Sequence, residues 1–123
     1  MCRLVNLELK NGTIVSVAEN KAERIKRYIS AFPLLKSINR VILFGSAITE
    51  NCTDESDVDL CFLYKDKQQY WEDMAELYYD IMPESTEDDA MCASSDWFES
   101  TNMLTGAMKA AAREGVVIYD CKW

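Results

Sequence analysis

Alternating and clustered hydrophobic residues along the chain predict a series of short β-strands. Residues 3–10 and 13–18 flank Asn11-Gly12, a dipeptide that strongly favours the tight turn of a β-hairpin. Further apolar stretches predict strands at 40–44, 57–64, about 88–93 and 116–119. The stretch 57–64 is apolar on both faces beyond its first residues, which is typical of a central strand covered on both sides.

Apolar residues at helical spacing predict three helices. The first spans 20–32 and the second spans about 67–82, and a proline follows each of them. The apolar face of the first helix comprises Ala22, Ile25, Ile29 and Phe32. The third helix begins where Asp96 and Glu99 resemble a capping box, and it ends near Gly115.

The order of these elements predicts an α+β fold, in which helices pack on a mixed β-sheet. A chain of 123 residues, 49% of them hydrophobic, can bury one core, so we expect a single domain over 1–123. The hairpin at about 1–18 would be an N-terminal extension of that domain. It could serve as an additional pair of edge strands or as a contact surface, and the sequence does not decide between them.

The excess of acidic residues narrows the classes of molecule that the protein could bind. Thirteen basic and 21 acidic residues give a net charge of −8, which argues against a nonspecific nucleic-acid binder because such proteins need a basic surface. No apolar run approaches the roughly 18 residues of a membrane span, and none resembles a signal sequence. We therefore expect a soluble, cytoplasmic protein with no membrane partner.

Cysteine and histidine usage excludes several kinds of chemistry. The five cysteines are an odd number and include no Cys-x-x-Cys pair, so we expect reduced structural thiols. The chain contains no histidine. Hydrolysis by Ser-His-Asp or Cys-His arrangements is therefore excluded, as is any zinc site that contains histidine.

Three acidic residues at the starts of predicted apolar strands are candidate metal ligands. Asp57 and Asp59 lie on one face of the predicted strand 57–64, about 7 Å apart, where like charges repel each other. A divalent cation with oxygen ligands, Mg²⁺ or Mn²⁺, would relieve that repulsion, and two such ions could clamp a phosphoryl group in transfer. The third acid is Asp89 or its neighbour Asp88, and the spacing to the apolar run favours Asp89.

Gly45-Ser46 supplies a candidate phosphate-binding turn after the apolar strand that ends at Phe44. Glycine lets the backbone come close to a ligand, and the serine adds a hydroxyl donor. Each motif has an ordinary alternative, because Asp-x-Asp often flanks strands and Gly-Ser is a common loop dipeptide. Asp88 and Asp89 could likewise continue an acidic, solvated turn that begins at Glu84. The motifs together, in this order and each tied to a buried strand, favour a site.

Phe44-Gly45-Ser46, ten further residues and then Asp57-x-Asp59-Leu60 resemble the signature of the DNA polymerase β nucleotidyltransferase superfamily. The resemblance is greatest to its minimal, stand-alone members and covers about residues 36–120. It implies that Asp57, Asp59 and Asp89 are catalytic metal ligands and that Gly45 and Ser46 bind the nucleotide. The cofactors it implies are Mg²⁺ or Mn²⁺, with ATP as the donor.

The sequence also departs from that family pattern. Members usually carry an Arg-Gly pair shortly after Gly-Ser, whereas this chain has Ala47-Ile48-Thr49-Glu50. The missing cation would have faced the triphosphate.

Three functions remain open at this point. The resemblance implies transfer of a nucleoside monophosphate, AMP from ATP, to a protein acceptor, and the partner it implies is a HEPN-type toxin for which the transferase is the antitoxin. The first alternative is an enzyme for a small molecule, similar to aminoglycoside nucleotidyltransferases, although those usually have an additional acceptor-binding domain. The second is a non-catalytic module that binds a nucleotide or a partner, and the missing arginine motivates it.

Overall fold

The computed structural model describes residues 2–83 and 88–123. It confirms the predicted α+β fold, with helices on a four-stranded mixed sheet and a separate two-stranded hairpin. The strands are β1 Leu4–Glu8, β2 Ile14–Ala18, β3 Ile38–Phe44, β4 Asp59–Tyr64, β5 Ala90–Ser94 and β6 Val116–Asp120. The α-helices are α1 Ala22–Ala31, α2 Lys67–Ala75, α3 Ser95–Ser100 and α4 Gly106–Glu114.

The main sheet has the strand order β5-β4-β3-β6, and β4 is one of its two central strands. β4 runs parallel to β5 and antiparallel to β3, and β3 runs antiparallel to β6. Phe44 lies opposite Asp59, and Leu60 lies opposite Ala90. The last residue of β3 and the first residues of β4 and β5 therefore meet at one end of the sheet.

Hydrophobic clusters cover both faces of the sheet. Leu60 and Phe62 of β4 belong to the larger cluster, with α1, α2 and the hairpin, whereas Cys61 and Leu63 belong to the smaller one, with α3 and α4. This alternation confirms that the strand is covered on both sides, because neighbouring side chains on a strand point to opposite faces. The strand itself begins at Asp59, two residues later than predicted.

The first two predicted helices are present. α1 is followed by a 3₁₀ turn that contains Pro33, as expected of a residue that cannot continue a helix. Asp66 caps α2 by accepting hydrogen bonds from the backbone N–H groups of Gln68 and Gln69 at 2.9 and 3.1 Å. A π-helical turn, Glu76–Ile81, extends α2 to the predicted end of the helix.

The third predicted helix is wrong in two respects. It is two helices, α3 and α4, because Thr101 and Thr105 have extended backbones and Gly106 has φ +56°. Thr101 Oγ1 accepts a hydrogen bond from Met103 N at 3.1 Å, and such local bonds compete with helix formation. The cap of α3 is Ser94 rather than Asp96, since the Ser94 hydroxyl accepts from Trp97 N.

In the part of the chain that the structure describes, β1 and β2 pair with each other and not with the main sheet. Gly12 takes φ +89° in its turn, which favours glycine. The buried apolar side chains of the hairpin belong to the larger cluster, and they include Leu7, Leu9, Val15 and Val17. Just before the hairpin, Cys2 N donates a backbone hydrogen bond to Glu50 O, 2.8 Å long.

Residues 84–87, which form most of the predicted acidic turn, lie outside the described residues. Among the helices of the described segments, none is long and apolar enough to cross a membrane.

Candidate active site

The predicted site residues lie at the end of the sheet where β3 finishes and β4 and β5 begin. Gly45 directly follows β3, Asp59 is the first residue of β4, and Asp89 directly precedes β5. The backbone joins the last two, because Leu60 N donates a hydrogen bond to Asp89 O at 2.9 Å. Asp57 lies two residues before β4 and is exposed.

The carboxyl group of Asp59 lies so close to Gly45 that it leaves no room for a side chain there. Its φ of +76° is in the region that favours glycine, and a Cβ atom at this position would collide with Asp59 Oδ2 and lie 3.1 Å from Asp59 Cγ. The absence of a side chain at 45 therefore lets the strand ends approach each other closely.

Ser46 lies in the 3₁₀ turn Gly45–Ile48, which continues from the end of β3. Its carbonyl oxygen accepts hydrogen bonds from Thr49 N and Thr49 Oγ1, both 2.9 Å long. These bonds fix the turn, and the half-buried serine stands beside the glycine that contacts Asp59.

The three acids interact electrostatically. Burial is the main cause that raises the pKa of Asp59 from its ordinary 3.8 to about 6, and the charges of Asp89 and then Asp57 raise it further. A hydrogen bond between the carboxyl groups of Asp59 and Asp89 adds to the effect, and such a bond needs a proton on one of them. Asp59 is half-buried, whereas Asp57 and Asp89 are exposed.

Asp88 and Asp89 point in different directions. The Asp88 side chain is only 1% exposed, and it is held by Arg24, Tyr28 and the backbone of Val58. Asp89 is exposed and faces Asp59. Asp88 is thus occupied by its own hydrogen bonds, whereas Asp89 lies beside Asp59, and the role of Asp89 as the third acid stays a prediction.

The donor set suits a hard divalent cation. Within the described part of the chain, no group of three acidic or thiol side chains is already close enough to hold a metal ion. Asp57, Asp59 and Asp89 nevertheless offer only carboxylate oxygens, which Mg²⁺ and Mn²⁺ prefer, and their mutual repulsion is what a cation would relieve.

The surface has two concavities that bear on the site, one beside the neighbours of Asp89 and one away from the three acids. A groove of about 450 Å³ runs between α2 and β5 and is lined by Tyr70, Trp71, Tyr78, Tyr79 and Met91 among others. Asp88 and Ala90, the two neighbours of Asp89, also line it. An open concavity of about 860 Å³ lies between the hairpin and residues 50–54, and none of the three acids lines it.

Comparison with protein families identifies the chain. The family model described as polymerase beta nucleotidyltransferase matches residues 23–122, which are 100 of the 123 residues. The chain belongs to the polymerase β nucleotidyltransferase family. Searches among curated proteins and among solved structures found no match.

Membership confirms the resemblance at the level of the superfamily, and it supports nucleotidyl transfer as the general activity. The match leaves out the hairpin strands β1 and β2.

Sequence reasoning missed the residues that surround Asp88. Arg24 and Tyr28 are four positions apart on α1, so a shared face could have been inferred for them. Their partner is 60 or more positions away along the chain, and no local pattern connects α1 with the start of β5.

Proposed function

We propose that the protein transfers a nucleoside monophosphate, AMP from ATP, to a hydroxyl group of a protein acceptor. The observation that carries this proposal is the meeting of Gly45, Asp59 and Asp89 at one end of the sheet in a member of a nucleotidyltransferase family. The acceptor oxygen attacks the α-phosphorus, the bond from that phosphorus to the β-phosphate oxygen breaks, and pyrophosphate leaves.

Asp57, Asp59 and Asp89 would hold Mg²⁺ or Mn²⁺ in this reaction. The bound ions supply positive charge that offsets the charge of the triphosphate. Asp59 has to be ionised for this role, and because its pKa is about 6 in the metal-free protein, metal binding below that pH would have to displace a proton from it. Gly45 and Ser46 would contact the phosphates through the backbone and the serine hydroxyl.

Asp89 would accept the proton that the attacking hydroxyl group loses. It is exposed, whereas Asp59 is half-buried, so an acceptor can reach it from solvent. The chain has no histidine that could serve as the base instead.

The groove between α2 and β5 supports a protein as the acceptor. It borders the neighbours of Asp89 and is lined by aromatic and other apolar side chains, which are typical of surfaces that contact another protein. The net charge of −8 disfavours a polynucleotide. The partner we propose is a HEPN-type toxin, with this chain as its antitoxin, and this part of the proposal rests on the resemblance to minimal nucleotidyltransferases.

The test uses ATP labelled on the α-phosphate and, separately, on the γ-phosphate. The protein is incubated with each, with Mg²⁺ and with the product of the neighbouring gene. We expect the α-label alone to move onto the partner and to depend on Mg²⁺. Transfer of the γ-label would indicate a kinase, and α-label on a small molecule would indicate the aminoglycoside-like alternative.

A non-catalytic role is the second candidate, because Ala47-Ile48-Thr49-Glu50 replaces the arginine that usually faces the triphosphate. This role predicts Mg²⁺-dependent ATP binding in a calorimeter without any release of pyrophosphate. Pyrophosphate release in the presence of the partner would exclude it.

A further inference from the structure

We propose that Asp88 is a positioning residue that sets the arrangement of Asp57, Asp59 and Asp89. The inference rests on the proposed function, since it concerns how the same acids are held. Asp88 itself would contact neither the nucleotide nor the metal, because its side chain is only 1% exposed.

Within the described residues, the Asp88 carboxylate accepts three hydrogen bonds from two separate segments of the chain. Oδ1 accepts from Arg24 Nη1 at 2.9 Å and from Val58 N at 3.0 Å. Oδ2 accepts from the Tyr28 hydroxyl at 2.8 Å. Two of these donors lie on α1, and the third is the peptide group that precedes β4.

The bond to Val58 is the one that concerns the acids. Val58 stands between Asp57 and Asp59, and Asp88 is joined covalently to Asp89. Holding the Val58 N–H therefore fixes how far the Asp57-Asp59 pair lies from Asp89. The backbone hydrogen bond from Leu60 N to Asp89 O is a second connection between the same two segments. The residues on both sides of Asp59, Val58 and Leu60, are therefore hydrogen-bonded to the segment that contains Asp88 and Asp89.

Arg24 lets the carboxylate stay charged while buried. A buried carboxylate without a partner of opposite charge would be strongly destabilising, and the guanidinium group of Arg24 supplies that charge. Its side chain is 35% exposed, so α1 brings a cation to the edge of the buried region. The hydrogen bonds of Asp88 thus connect α1 with the starts of β4 and β5.

Asp73 provides a matched control. It is also buried, and it accepts three hydrogen bonds, two from Ser37 and one from Gln69, at 2.8–3.1 Å. These bonds join α2 to the residue before β3, at the other end of that strand from Gly45. Asp73→Ala should therefore destabilise the fold about as much as Asp88→Ala without disturbing the acids.

The experiment compares wild type, Asp88→Ala, Asp88→Asn and Asp73→Ala at a temperature where all of them are folded. Calorimetry gives the Kd for an ATP analogue with a methylene group between the α- and β-phosphorus, in Mg²⁺. Amide hydrogen exchange of Val58 gives a readout that does not depend on ligand.

We expect Asp88→Ala to raise the Kd by about 10–100-fold, the usual effect of losing a group that orients metal ligands. Val58 exchange should become at least roughly tenfold faster in that variant. Asp73→Ala should change neither quantity appreciably. Asp88→Asn should recover most of the affinity, because its amide oxygen can still accept from Val58 and Arg24.

Three results would overturn the proposal. Equal effects of Asp88→Ala and Asp73→Ala on the Kd would make Asp88 merely structural, and equal effects of Asp88→Ala and Asp88→Asn would make it a direct ligand. If Asp88→Ala does not fold, Arg24→Met at its partly exposed position is measured instead, and an unchanged Kd would contradict us. Absence of Mg²⁺-dependent binding in wild type would refute the proposed function instead, and the Val58 exchange would still test the positioning.

Discussion

At the scale of single residues, the site is organised by close approach and by charge. Gly45 leaves room for the Asp59 carboxyl group, and burial, followed by the charges of the neighbouring acids, raises the pKa of that group. The sequence could indicate Gly45, Ser46, Asp57, Asp59 and Asp89, because a short motif contains most of them. The sequence could not indicate that Asp88 is buried and hydrogen-bonded, because its partners are 30 to 64 positions away along the chain.

Gly45→Ala should destabilise the protein by roughly 3 kcal/mol, since backbone strain and a collision with Asp59 add together. Gly12→Ala is the matched control, because Gly12 also has a positive φ, +89°, but nothing within 4 Å of the added methyl group. We expect a loss of only about 1 kcal/mol there. Urea unfolding measures both values, and equal losses would mean that the collision with Asp59 carries no cost.

Asp59→Asn should make the metal-free protein more stable at high pH. The folded-state pKa of about 6 lies above the ordinary value of 3.8, so the folded state binds the proton more tightly than the unfolded state does. The stability from this group is fully present below about pH 4 and is lost as the pH rises through about 6.

The variant should therefore exceed wild type in free energy of unfolding at about pH 8, by on the order of 1 kcal/mol after allowance for solvent screening. The two proteins should be about equal near pH 4. Denaturant unfolding in EDTA at both pH values measures the difference, and a less stable variant at high pH would contradict the assigned repulsion.

At the scale of elements, hydrophobic periodicity predicted most of the strands and helices because burial on the sheet determines them. It failed between Thr101 and Thr105, where Thr side-chain bonding and the backbone of Gly106 interrupt a helix that apolar spacing alone would continue. It also placed the start of β4 at Asp57, since alternation does not reveal where backbone pairing begins.

The start of α2 offers a test at this scale. Asp66→Ala should cost about 1 kcal/mol of stability, because the carboxylate accepts two backbone N–H bonds of good length. Ser94→Ala at the start of α3 should cost less, since its one capping bond is 3.5 Å long. Thermal unfolding of the two variants gives the comparison, and a larger loss for Ser94→Ala would reverse our ranking of the caps.

At the scale of the whole molecule, the acids stand where three strands meet, and α1 connects to the same place through Asp88. The family match begins at residue 23, so it includes α1 from Glu23 onward but not the hairpin. The hairpin instead adds apolar side chains to the larger core cluster. The prediction that the hairpin is an N-terminal extension of a single domain stays a prediction.

The central claim is that Asp89 completes a nucleotidyl-transfer site, and turnover at saturating Mg²⁺·ATP tests it most directly. The measurement is the rate of α-label transfer to the partner by wild type, Asp89→Asn and Asp96→Asn, the last being an exposed aspartate on α3. We expect Asp89→Asn to lower the rate by about 10²–10⁴-fold, the usual effect of losing a general base, with nucleotide binding largely kept. Asp96→Asn should match wild type. A folded Asp89→Asn variant that transfers the label as fast as wild type would contradict the claim.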